Sequence, residues 1–184
     1  MTDLLVPTYR QMLRTLAGLL DRALEQRPDA AEELLAARLA PDMLPLASQI
    51  RFAAFQAQEA VYRLTGQALP GWLVQVAAEG WDVRDRPGTV AEARARLEQA
   101  LARPDALEPA ALDGGAALAI ALDLPDGLAF ELAGEACARD WALPQFYFHA
   151  VSACAILRTR GIAIGKADHV PHMLAYRRAG GAQA

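Results

Sequence analysis

Apolar residues recur at helical spacing from the start of the chain. Tyr9, Met12, Leu13, Leu16, Leu19, Leu20, Ala23 and Leu24 make one stripe, and Arg10, Arg14, Asp21 and Arg22 lie off it. A stripe of this period lets a helix bury one face, so it predicts a helix over Leu4–Gln26. Pro28-Asp29 opens a short helix through Leu39. Pro41-Asp42 opens a long one to about Thr65, because proline suits a first turn and aspartate its positive end. Met43, Leu46, Ala47, Ile50, Ala54, Ala57, Val61 and Leu64 form its core face, and Gly66 closes it as a left-handed cap. Gln67–Gly88 is the least patterned stretch, with a short helix near Trp72–Ala78. Thr89-Val-Ala-Glu92 is a capping box, and the helix behind it runs to Arg103, ending before Pro104.

The period then changes to two. Ala117-Leu-Ala-Ile-Ala-Leu-Asp and Leu128-Ala-Phe-Glu-Leu alternate around the turn signal Leu124-Pro-Asp-Gly127, which predicts a β-hairpin. A lone hairpin is marginal in water, so it must lie against helices. Gly134-Glu135 leads into a helical segment to Trp141, and Pro144 resets the backbone. The last long helix, Pro144–Arg160, is apolar almost all round, which describes a helix inside a core, and Gly161-Ile162 gives it a Schellman ending. The predicted fold is mainly all-α: an antiparallel helical bundle with a small hairpin, one domain over residues 1–175, and a loose tail at 176–184 containing Gly180-Gly181.

Composition narrows the partners. The 184 residues are 54% hydrophobic and 22% charged with a net charge of -4, so one core and no long disordered arm is expected. Acids and bases are mixed along the chain, without the basic stripe of a nucleic-acid binder. No signal peptide and no membrane-spanning apolar run is visible, which predicts a cytoplasmic protein. Cys137 and Cys154 form no Cys-x-x-Cys pair and are expected to be free, buried thiols. Arginine- and alanine-rich usage fits a GC-rich bacterial genome.

Few residues offer chemistry. His149 lies in the apolar Pro144–Arg160 helix, with Gln145 and Ser152 as helical neighbours. It is either a metal ligand or general acid–base, or a neutral core histidine held by hydrogen bonds. His169 and His172 flank Val170-Pro171, and two imidazoles at that spacing can meet one zinc or nickel ion, with His149 as a third ligand. Asp42, Gln49, Gln56 and Arg63 fall in heptad register, as a solvated face or as the polar lining of a pocket with Asp42 and Gln49 facing His149. Trp72 and Trp81 either cover such a pocket or pack their connection down. Ser48 and Ser152 lack a legible triad, and the paired glycines match no phosphate loop.

The run Trp141-Ala-Leu-Pro-Gln-Phe-Tyr-Phe-His149, with Ala155-Ile-Leu-Arg158, Gly161 and Gly165-Lys166-Ala-Asp168, resembles the C-terminal signature of a bacterial family. That family is numbered nineteen ninety-three among domains of unknown function. Leu39-Ala-Pro-Asp42-Met43-Leu-Pro45-Leu-Ala-Ser-Gln49 and the Tyr9-x-x-Met12-Leu13 helix are similar to it too. The resemblance implies a DinB/YfiT-like up-and-down four-helix bundle that pairs as a homodimer. More distant DinB-like relatives hold a divalent metal through three histidines, one of them on the helix equivalent to Pro41–Thr65, where this chain has none. The leading expectation is therefore a small-molecule-binding protein with its pocket around Asp42, Gln49 and His149 and no tightly bound cofactor. The alternatives are a divalent-metal enzyme of the thiol-transferase kind using His149, His169 and His172, and a structural or regulatory homodimer without a ligand site.

Overall fold

Four long helices carry the architecture: α1 (Thr2–Gln26), α3 (Leu46–Leu64), α5 (Val90–Asp105) and α7 (Leu143–Thr159). They come from a computed structural model that describes residues 1–124 and 127–178. Each packs on two neighbours in the ring α1–α5–α3–α7, so α1 and α3 face each other across the core. The predicted stripe of α1 is buried from Leu5 to Ala23. α3 is buried on nearly every side, because α4 (Gly71–Asp82) covers the face that the ring leaves open. The short α2 (Ala31–Ala36) follows a single 3₁₀ turn over Pro28–Ala30.

Local signals set several helix ends where expected. Thr89 accepts from the Glu92 N–H at 3.2 Å while the Glu92 carboxylate accepts from the Thr89 N–H at 2.7 Å, closing the capping box of α5. Gly161 at φ +80° ends α7, and the Ile162 N–H reaches back to the Leu157 carbonyl at 3.2 Å in a Schellman arrangement. Other boundaries differ from the sequence expectation. The helix expected from Pro41 starts at Leu46, because Pro45 disfavours a helical Leu44 and itself caps α3. α4 is longer than Trp72–Ala78, and α5 passes Pro104 by one residue before it ends.

The hairpin pairs β1 (Ala119–Asp123) with β2 (Ala129–Ala133), Ala119 opposite Ala133 and Leu122 opposite Phe130. Pro125 and Asp126 of its predicted turn lie outside the described residues, as do Gly180-Gly181. Ile120 and Leu122 of β1 face the core, while β2 is largely exposed. The hairpin is rooted by glycines. A Cβ on Gly115 would sit 2.0 Å from the Leu64 carbonyl oxygen, and one on Gly134 would sit 2.0 Å from the Gly115 carbonyl oxygen. Three stretches of backbone thus stack where no side chain fits.

From Gly134 to Thr159 the chain is helical without a break: α6 (Gly134–Ala136), one wide π turn over Cys137–Ala142, then α7. The wide turn precedes Pro144, which has no N–H to give and whose ring crowds the carbonyl behind it. Beyond Gly161, α8 (Lys166–His169) packs on α1, and a 3₁₀ turn spans Pro171–Tyr176; most of the tail expected at 176–184 lies outside the described residues. No helix among the described residues is long and apolar enough to cross a membrane.

Candidate functional site

The heptad residues of α3 are not a solvated face. Gln49 and Gln56 are buried, and Arg63 is partly so. The Gln49 amide nitrogen donates to the Leu44 carbonyl at 3.1 Å, in the turn that Pro45 holds extended. That bond fixes which end of the amide faces the core. The amide oxygen is left to accept from His149 Nδ1, 2.8 Å away on α7. His149 therefore has its proton on Nδ1 and its lone pair on Nε2. Burial pushes its pKa down to about 4, so the imidazole is neutral at physiological pH.

Aromatic packing holds the ring from its face. Phe52 of α3 stacks on His149 with centroids 5.2 Å apart and planes 27° from parallel. Trp81 of α4 meets the Phe52 ring edge-on at 5.1 Å. Gly80 makes this possible: a Cβ there would lie 2.8 Å from the Phe52 ring. α4 approaches α3 closely because that position has no side chain.

These side chains border a cavity of about 520 Å³ between α3, α4, α7 and the end of β1. Phe52, Phe55, Trp81 and Trp141 supply its aromatic wall. Trp141, Gln145 and His149 enter it from successive turns of one helix. Glu59 and Arg63 close the polar end as an ion pair at 2.7 Å, and Arg63 also donates to the Ala121 carbonyl at 2.8 Å, tying α3 to the hairpin. Asp123 lies at the rim. A second cleft of about 510 Å³ lies between α3, α4 and α5 around the buried Arg51, and some of its wall groups engage one another. Arg96 grips Glu79 at 2.5 Å, and Glu92 serves the α5 cap. The cavity beside His149 combines aromatic walls with a few fixed polar groups, the make-up that small organic ligands need.

Residues 1–170 match a family described as "Domain of unknown function (DUF1993)". The chain belongs to this family. A crystal structure of a DinB family member from Shewanella denitrificans is similar over 92% of this chain and 90% of that one, with 30% identity and a TM-score of 0.73. No curated protein matches. The DUF1993 chain is thus a DinB-like four-helix bundle with a small hairpin, as its C-terminal signature implied.

Of the predicted site residues, the DUF1993 bundle joins Gln49 and His149 directly. Asp42 is not with them. It is exposed in the turn before α3, because the helix that would have carried it inward begins at Leu46. His169 ends α8 and His172 lies in the following 3₁₀ turn, both half-buried with Nδ1 enclosed and without a hydrogen-bond partner. Burial and the neighbouring His172 push the His169 pKa down. Among the described residues no three or more His, Cys, Asp or Glu gather to hold a metal ion, and His149, His169 and His172, the ligand set of the alternative reading, are not brought together as one. With no histidine on α3 either, the residues present do not fit the three-histidine centre of DinB-like relatives. Trp81 borders the cavity, while Trp72 packs edge-on against Tyr62 at 6.4 Å. The sequence pattern does not single out Phe52, Phe55, Glu59 or Trp141 as wall residues. Trp141, Gln145 and His149 share a spacing of four that could have revealed the wall.

Proposed function

We propose that this DUF1993 protein binds a small organic molecule in the cavity between α3, α4 and α7. The supporting observation is the neutral His149 imidazole, held by Gln49 and stacked on Phe52, in the wall of an apolar cavity of about 520 Å³. A histidine serving only to fill a core needs no such space beside it. The direct test is titration with the uncharged dye Nile red, alongside native mass spectrometry of freshly purified protein. We expect saturable binding at one site per chain. Ala77→Trp, which fills the α4 wall, should abolish binding while the circular dichroism spectrum stays helical. Unchanged binding in that variant would overturn the assignment.

Two further properties belong to this reading. The protein pairs with a second copy through α7, whose outer face exposes Tyr147, Phe148 and Val151 side by side. It works in the cytoplasm, a setting that suits the free Cys137 and Cys154.

A further inference from the structure

The walls also carry information about the ligand, provided that the cavity is the binding site. Gln49 is not part of the cavity wall, whereas His149 is. The Nδ1 edge of the ring is turned to Gln49, so Nε2 is the nitrogen left to meet a bound molecule. In the tautomer fixed through Leu44 and Gln49, Nε2 is a hydrogen-bond acceptor and cannot donate. A carboxylate placed against it would set two acceptors face to face.

The charges agree. Arg63 is the one cation in the described wall, and it is already held by the Glu59 carboxylate at 2.7 Å and the Ala121 carbonyl at 2.8 Å. The wall holds two carboxylates, Glu59 and Asp123, so it carries an excess of negative charge. The rings of Phe52, Phe55, Trp81 and Trp141 offer faces that attract a flat apolar body or an N–H-bearing cation and repel an anion. We propose that the cavity takes a molecule with a flat apolar body, a hydrogen-bond donor directed at His149 Nε2, and no negative charge. A neutral amide and a protonated amine share this chemistry.

Three probes of matched shape separate the possibilities: naphthamide, naphthylmethylamine and naphthoate, titrated by calorimetry near neutral pH with Nile red in parallel. The amide or the amine should bind at least about tenfold more tightly than the carboxylate, the size of one well-placed hydrogen bond. In His149→Phe, which keeps the stacking surface but removes the acceptor, that preference should narrow by at least about threefold, the remainder coming from the wall's carboxylates and ring faces. If that variant does not fold, Gln49→Leu with His149→Phe removes both partners and carries the same comparison. Nile red binding with naphthoate equal or preferred, with none of the three probes bound, or with the preference intact in the variant, overturns this proposal and leaves the cavity as a site. Failure of Nile red and all three probes overturns both.

Discussion

Acidification should destabilise this protein through His149, and the size of the effect follows from its surroundings. Burial lowers the folded-state pKa from 6.5 to about 4. Below the higher value the unfolded chain takes up a proton that the folded chain refuses, so stability falls with pH. The contribution is fully present above about pH 6.5, is lost as pH falls through the window, and is gone below about pH 4. That interval corresponds to about 3 kcal/mol. Urea denaturation of wild type and His149→Phe at matched protomer concentration, in steps from about pH 7 to about pH 4, isolates the term. His169, also pushed down by burial and by His172, titrates in both proteins and cancels, as do the carboxylates of Glu92 and Asp140. At neutral pH the variant should be weaker by about 1–3 kcal/mol, since Gln49 loses its partner. The difference between the two proteins should then move by about 3 kcal/mol in the variant's favour across the window, closing or reversing the gap. A gap that stays constant to within about 0.5 kcal/mol would refute the picture of a neutral imidazole enclosed between Gln49 and Phe52.

Three other expectations concern the frame around the cavity. Gly115→Ala should cost more than about 2 kcal/mol in thermal or urea unfolding, because its Cβ would collide with the Leu64 carbonyl, which is backbone and cannot swing aside. A loss below about 0.5 kcal/mol would mean the stacked backbones are not in contact. Thr89→Ala should cost about 1 kcal/mol by removing the α5 cap, and Thr89→Ser should restore most of it. Light scattering at micromolar concentration should give a dimer that Phe148→Glu converts to a helical monomer; a monomeric wild type would remove the pairing through α7.

Features set by neighbours in sequence are legible in the chain itself. The Thr89–Glu92 box, the Gly161 ending and the period-two stretches of the hairpin each depend on a few adjacent residues, and each is in place. Features set by competition between signals are not. Pro41-Asp42 and Pro45 both advertise a helix start, and the second wins because it restricts the residue before it. Gly80 interrupts the apolar pattern of α4 and so hid its length, yet it is there to admit the Phe52 ring. Glu59 sits at a core position that a charged residue seldom occupies, and only the partner one turn on, Arg63, makes it tolerable. The Gln49–His149 bond joins residues a hundred positions apart, which no local pattern encodes. Both residues were nonetheless candidates, from the family resemblance for one and from an isolated imidazole in an apolar helix for the other.

The wide turn at Cys137–Ala142 sets the rotational phase between two distant anchors. Upstream of it, Gly134 must lie against Gly115; downstream, His149 must lie against Gln49. Each residue of a regular helix advances the azimuth by about 100°, so removing one residue from the turn would swing one anchor away while keeping the other. Substitutions within this turn can be absorbed locally, but a change in its length cannot. The number of residues between Gly134 and His149 is therefore a fixed dimension of the cavity, as much as the shape of any side chain in its wall.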